Sequence, residues 1–77
     1  MNRIASYRKM LGKTQADMAK IFKISTQAYW QKEKRIISFS DEEKMLFKKM
    51  LQVYFPDITI DEIFLVNLQR NTKKRGD

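Results

Sequence analysis

Only three residues, Lys23-Ile24-Ser25, separate two short stretches that each open on a helix-capping residue. Thr14 can cap a helix from Gln15 to Phe22, and Asp17 three residues later makes a near capping box with Asp in the place of Glu. Ser25 can cap the next helix, from Thr26 to about Lys34. Met18, Ala19 and Phe22 form the apolar side of the first stretch, and the small Ala19 suits close approach of another helix. A turn this short holds two helices against each other, which is the helix-turn-helix spacing. Ile24 and Tyr29 then point inward, while Thr26, Gln27, Trp30, Gln31 and Lys34 share the other face.

The remaining segments also read as helix. One proline and two glycines leave few breaks, and the many straight-chain residues favour helix. Ile4, Tyr7 and Leu11 recur at helical spacing between Asn2 and Leu11; Asn2 can cap the start, and Gly12 sits where a left-handed residue ends a helix. A capping box at Ser40-Asp41-Glu42-Glu43 opens a fourth helix running to about Phe55, where Pro56 stops it. Its acids come first and Lys48 and Lys49 later, matching the helix dipole. Met45, Leu46, Met50, Leu51, Val53, Tyr54 and Phe55 give it a wide apolar face. A second box, Thr59-Ile60-Asp61-Glu62, opens a fifth helix with Ile63 and Phe64 that reaches toward Val66. Ile58-Thr59-Ile60 also admits a strand, but has no partner strand. Residues 67–77 are polar and basic without periodicity and read as a disordered, flexible basic tail. The expected fold class is all-α: a five-helix domain over residues 1–66, with the two-helix motif at about 14–34.

A chain of 77 residues leaves no room for a separate catalytic domain. Without Cys or His it has no disulfide, no usual zinc or haem ligand, and no thiolate or imidazole chemistry. Glu42 and Glu43 look like capping charge rather than acid–base machinery, and there is no phosphate loop. No enzyme activity, cofactor or metal is therefore expected. No apolar stretch is long enough for a bilayer, and Met1 to Tyr7 lacks the apolar core of a signal peptide, so no membrane association is expected and a reducing, intracellular compartment is.

The net charge of +7 is unevenly spread. Residues 1–35 carry nine Lys/Arg against only Asp17 and Glu33, residues 36–66 three Lys against six acids, and residues 67–77 four basic residues against Asp77. Segregation of this kind fits one face turned to a polyanion, with a solvated basic surface as the plainer alternative.

The run Thr14-Gln15-Ala16-Asp17-Met18-Ala19-Lys20-Ile21-Phe22-Lys23-Ile24-Ser25-Thr26-Gln27-Ala28-Tyr29-Trp30-Gln31-Lys32-Glu33 resembles the Cro/phage-repressor (XRE-like) helix-turn-helix family. The likeness lies in Thr-Gln, an apolar-Ala pair, Ile-Ser opening the second helix, and Glu near its end. It reaches back to Arg8 and Gly12 and forward through Phe39-Ser40 to the Thr-Ile-Asp-Glu-Ile-Phe ending at Phe64. The resemblance implies a lambda-repressor-like domain, a small phage or prophage regulator that binds double-stranded operator DNA and controls transcription in the bacterial cytoplasm, at the nucleoid. It implies that Gln15 holds a phosphate with help from its helix N-terminus, where the plainer reading is a solvated first-turn side chain. It implies that Thr26, Gln27 and Gln31 face base edges, Gln being able to pair bidentately with adenine; the plainer reading is an exposed polar face. Lys32, Lys34 and Arg35 would lie near the DNA backbone, and Ser25 would cap the reading helix and touch phosphate. Arg8 and Glu33 match a partly buried salt bridge that ties the first helix to the end of the third.

Several positions depart from the pattern. Lys23 and Arg35 stand where Gly is common, and a left-handed Lys costs about 1 kcal/mol. Lys13 and Lys32 replace residues that are often apolar. Trp30 sits where small or polar residues are usual, and is open to three roles: contact with thymine methyls, anchor for a protein partner, or core residue. A homodimer on a palindromic operator is expected, with its contact on the apolar surface of helices four and five, including Phe55, Ile63 and Phe64, or those residues are simply core. The competing function is a module that binds a partner repressor protein and shifts a lysis–lysogeny switch.

Overall fold

Side-chain caps decide where the helices begin. In the computed structural model, which describes residues 2–64, these are α1 (Arg3–Met10), α2 (Gln15–Phe22), α3 (Thr26–Glu33), α4 (Asp41–Leu51) and α5 (Ile60–Phe64), with no strand among the described residues. Asn2 Oδ1 accepts from the Ala5 amide at 3.1 Å. Thr14 and Asp17 close a reciprocal box at 2.9 and 3.0 Å, Ser40 and Glu43 another at 2.9 and 3.1 Å, and Thr59 and Glu62 a third. Ser25 Oγ takes the Ala28 amide at 3.0 Å. Each cap satisfies an orphan amide and contributes about 1 kcal/mol. The expected extension to Val66 and the tail at 67–77 lie outside the described residues.

Helix ends follow backbone chemistry. Gly12 adopts φ 73° after α1, the conformation that favours glycine. Lys23 and Arg35 adopt the same left-handed conformation at φ 61° and 66°. The Ile24 amide folds back to the Ala19 carbonyl at 2.9 Å, and the Ile36 amide to that of Gln31 at 2.8 Å, so α2 and the α3 unit end alike.

The core is a cluster of rings. Phe22, Tyr29, Phe39 and Phe47 are buried, and Phe64 packs on Phe39 and Phe47 with centroids 5.2 and 5.8 Å away. Met18, Leu51, Ile58 and Ile63 close it, and α2 packs on α3, α4 on α5, and α1 on α5. Ile58-Thr59-Ile60, the segment open to a strand, is instead the approach to α5, with Ile58 buried and Thr59 exposed, and its first residue.

Two expectations need correction. α4 stops at Leu51 rather than near Phe55, and beyond it the Tyr54 amide donates to the Leu51 carbonyl at 2.9 Å in a tighter three-residue turn. Its wide apolar face does not enter the core as one surface. The residues it buries are Glu43, Phe47 and Leu51, four apart on one side, whereas Met45, Leu46, Val53, Tyr54 and Phe55 are exposed. Ile63, open to a dimer contact or to the core, is completely buried and so belongs to the core of a single chain. No described helix is long and apolar enough to cross a membrane.

Candidate nucleic-acid interface

α3 has two sides with different duties. Tyr29 and Glu33, one turn apart, are buried. Thr26 and Gln27 are exposed, Gln31 is half-buried, and Trp30 is 41% exposed, which removes it from the core. Half-buried Ile24 packs on the core from the turn.

The buried side is organised around one carboxylate. Glu33 accepts from Arg8 Nε at 2.7 Å and from a second Arg8 guanidinium nitrogen at 3.3 Å. It also accepts from the Tyr29 hydroxyl and from Gln15 Nε2, each at 2.8 Å. Arg8 donates further to the Lys13 carbonyl at 3.0 Å, and Asn2 Nδ2 to the Glu33 carbonyl at 2.9 Å. α1, α2 and α3 are thus joined at one point, and no buried side-chain polar atom among the described residues lacks a partner. Burial pushes the Glu33 carboxyl up, but hydrogen bonds from Arg8, Gln15 and Tyr29 outweigh it and hold the group below its ordinary range. The bond to Glu33 raises the Arg8 guanidinium in turn, and burial followed by its own bond to Glu33 raises the Tyr29 phenol.

This arrangement changes what two expected DNA contacts have to offer. Gln15 spends one amide hydrogen on Glu33 and keeps the other. Lys32 is turned inward, its Nζ 2.6 Å from Glu43 Oε1, the oxygen that also caps Ser40. Its ammonium is therefore held by α4 rather than presented freely beside α3. Glu43 is pushed up by burial, and Lys32 and the Ser40 amide bring it below its usual value.

Three exposed cations stand near the ends of α3. Lys34 and Arg35 are exposed directly after it, and Lys23 just before its cap. The Lys34 ammonium lies 6.0 Å from the centre of the Trp30 ring. Ser25, besides capping, is itself exposed. The described residues contain no group of three or more His, Cys, Asp or Glu placed to hold a metal.

The Arg8–Glu33 pair is the one that the family resemblance implied; Tyr29 and Gln15 as its partners were not implied by it. The signal for Tyr29 is its position one turn before Glu33, where helical side chains meet. The Lys32–Glu43 pair has no local signal, since it depends on how α4 returns across α3.

No protein-family model, no curated protein and no solved structure matches the chain.

Proposed function

We propose that this protein is a sequence-specific, double-stranded-DNA-binding transcriptional regulator of the Cro/phage-repressor type, with a lambda-repressor-like fold and α3 in the major groove. The observation that carries the reading is the polar, exposed start of α3, Thr26 and Gln27, on a helix whose opposite side is fixed by the Glu33 cluster. A reading helix must hold its angle, because base contacts tolerate little displacement. Gln27 presents an amide that matches adenine, with Thr26 and Gln31 beside it. Ser25, Lys34, Arg35 and the remaining amide hydrogen of Gln15 meet phosphates.

Salt dependence tests this. Binding to an operator duplex through about six to eight phosphates is expected to weaken about 10³- to 10⁴-fold between ~50 and ~200 mM salt. Fluorescence anisotropy against salt reads the slope, and a flat response would remove DNA as the ligand.

Lys23 supplies a second test. It accepts left-handed strain where glycine would be relaxed, and it leaves a cation just before α3. Lys23→Gly is expected to raise stability by about 1 kcal/mol, or ~4–8 °C in Tm. The same change should weaken DNA binding and lower the salt slope by about 1. Thermal unfolding and the salt series measure the two sides of this exchange.

A second reading has one observation in its favour. Trp30 is exposed on the same side as Gln27, and an exposed Trp suits a protein partner such as a repressor. Association with a protein through Trp30 would change little with salt, so the same titration separates the two.

A further inference from the structure

The outward side of α4 has no covering within the chain. Glu43, Phe47 and Leu51 face the core, and on the other side Met45 is 55% and Leu46 36% exposed. Exposed Asp41 and Glu42 bound these residues at the helix start and exposed Lys49 at its end, and all five line one shallow depression.

The order of charge names the occupant. Asp41 and Lys49 are equidistant from Met45 along α4. A second α4 laid antiparallel, with a two-fold axis at Met45, sets each Asp41 against the partner's Lys49 and brings the two methionines together. A parallel neighbour would set acid against acid and lysine against lysine. An apolar centre with opposite charges at its two ends is self-complementary only in the antiparallel sense, the arrangement that a two-fold axis across the helix generates. We propose that this surface is a homodimer contact, in which α4 pairs with α4 of a second copy.

The contact is small. Eleven residues of helix span about 16 Å, less than a stable interface of about 1,200 Å² would use. Association is therefore weak and concentration-dependent. It leaves α3 free, since α4 holds Lys32 through Glu43 on its inward side. This proposal does not rest on DNA binding, and its test contains no DNA.

Sedimentation equilibrium of the full chain from about 10 μM to about 1 mM is expected to show a reversible monomer–dimer equilibrium. Asp41→Lys and Lys49→Glu should each weaken association about tenfold, because the axis repeats every change twice. Mixed in equal amounts, the two variants should dimerise again, since each then supplies the charge that the other lacks. Met45→Glu, at an exposed site that folding does not need, should abolish the dimer and reads the same contact if Asp41→Lys disturbs the start of α4. Circular dichroism reports the helix content of every variant. A wild type that stays monomeric to the highest concentration overturns the proposal. So do single variants that dimerise like wild type, or a mixture that remains monomeric.

Discussion

Glu33→Ala is expected to lower unfolding stability by about 3–5 kcal/mol. The carboxylate is 2% exposed and receives four hydrogen bonds from three side chains. Removing it leaves the Arg8 guanidinium buried without a counter-charge, and strands the Tyr29 hydroxyl and one Gln15 hydrogen. A domain of this size has a total stability of only ~4–12 kcal/mol. The variant should therefore be partly unfolded at physiological temperature, with its urea midpoint far below wild type. The paired replacement Arg8→Met with Glu33→Leu should recover a large part of that loss, because the cost lies in the unpaired charge more than in the missing pair. A Glu33→Ala loss under ~1 kcal/mol, by urea denaturation followed by circular dichroism, would show that the cluster does not hold the three helices together.

The same carboxylate sets the acid limit. Glu33 and Glu43 both titrate below their ordinary range in the folded chain, so the unfolded chain takes up their protons first as pH falls. The stability they contribute is complete above the ordinary carboxylate value and is lost as pH drops through their folded values. Tm is expected to hold steady from neutral pH to about 5 and to fall below about 4.5. In Glu33→Gln that acid slope should be shallower.

What could be read in the sequence was local. Caps at Asn2, Thr14, Ser25, Ser40 and Thr59 gave five helix starts, because a cap is decided within four residues. Gly12 marked the end of α1 for the same reason, whereas Lys23 ends α2 in the left-handed conformation without the glycine that would signal it. The far end of α4 was harder. Val53, Tyr54 and Phe55 continue an apolar pattern, yet the chain turns at Leu51 and leaves them exposed. Apolar character alone does not say which residues a small core has room for; Phe47, not Met45 or Leu46, fills it. The candidate site divided in the same way. Exposure of Thr26 and Gln27 followed from helical period, whereas Lys32 faced inward because of Glu43, eleven positions away. Pairs across elements need the tertiary arrangement, and no local pattern encodes it.

If α3 reads DNA as proposed, Gln27→Ala should cost about 1–3 kcal/mol on the preferred operator, a loss of ~5–150-fold in affinity, and almost nothing on unrelated duplex. Gln27 is exposed, one residue into α3, and makes no side-chain hydrogen bond within the described residues. Its removal therefore leaves the cap at Ser25 and the Glu33 cluster intact, and any change in binding belongs to the DNA. The specificity ratio falls while the salt slope stays as it was, because no phosphate contact is lost. Lys34→Ala gives the opposite pattern: a uniform loss on every sequence and a slope smaller by about 0.9. Gln31→Ala follows Gln27→Ala in direction with a smaller loss, since its side chain is half-buried at the edge of the face. A panel of single-base operator variants, titrated at fixed salt, distinguishes these outcomes. If Gln27→Ala keeps both the affinity and the sequence preference of wild type, Gln27 is off the reading face. The exposed start of α3 then has to be explained by Trp30 and a protein partner.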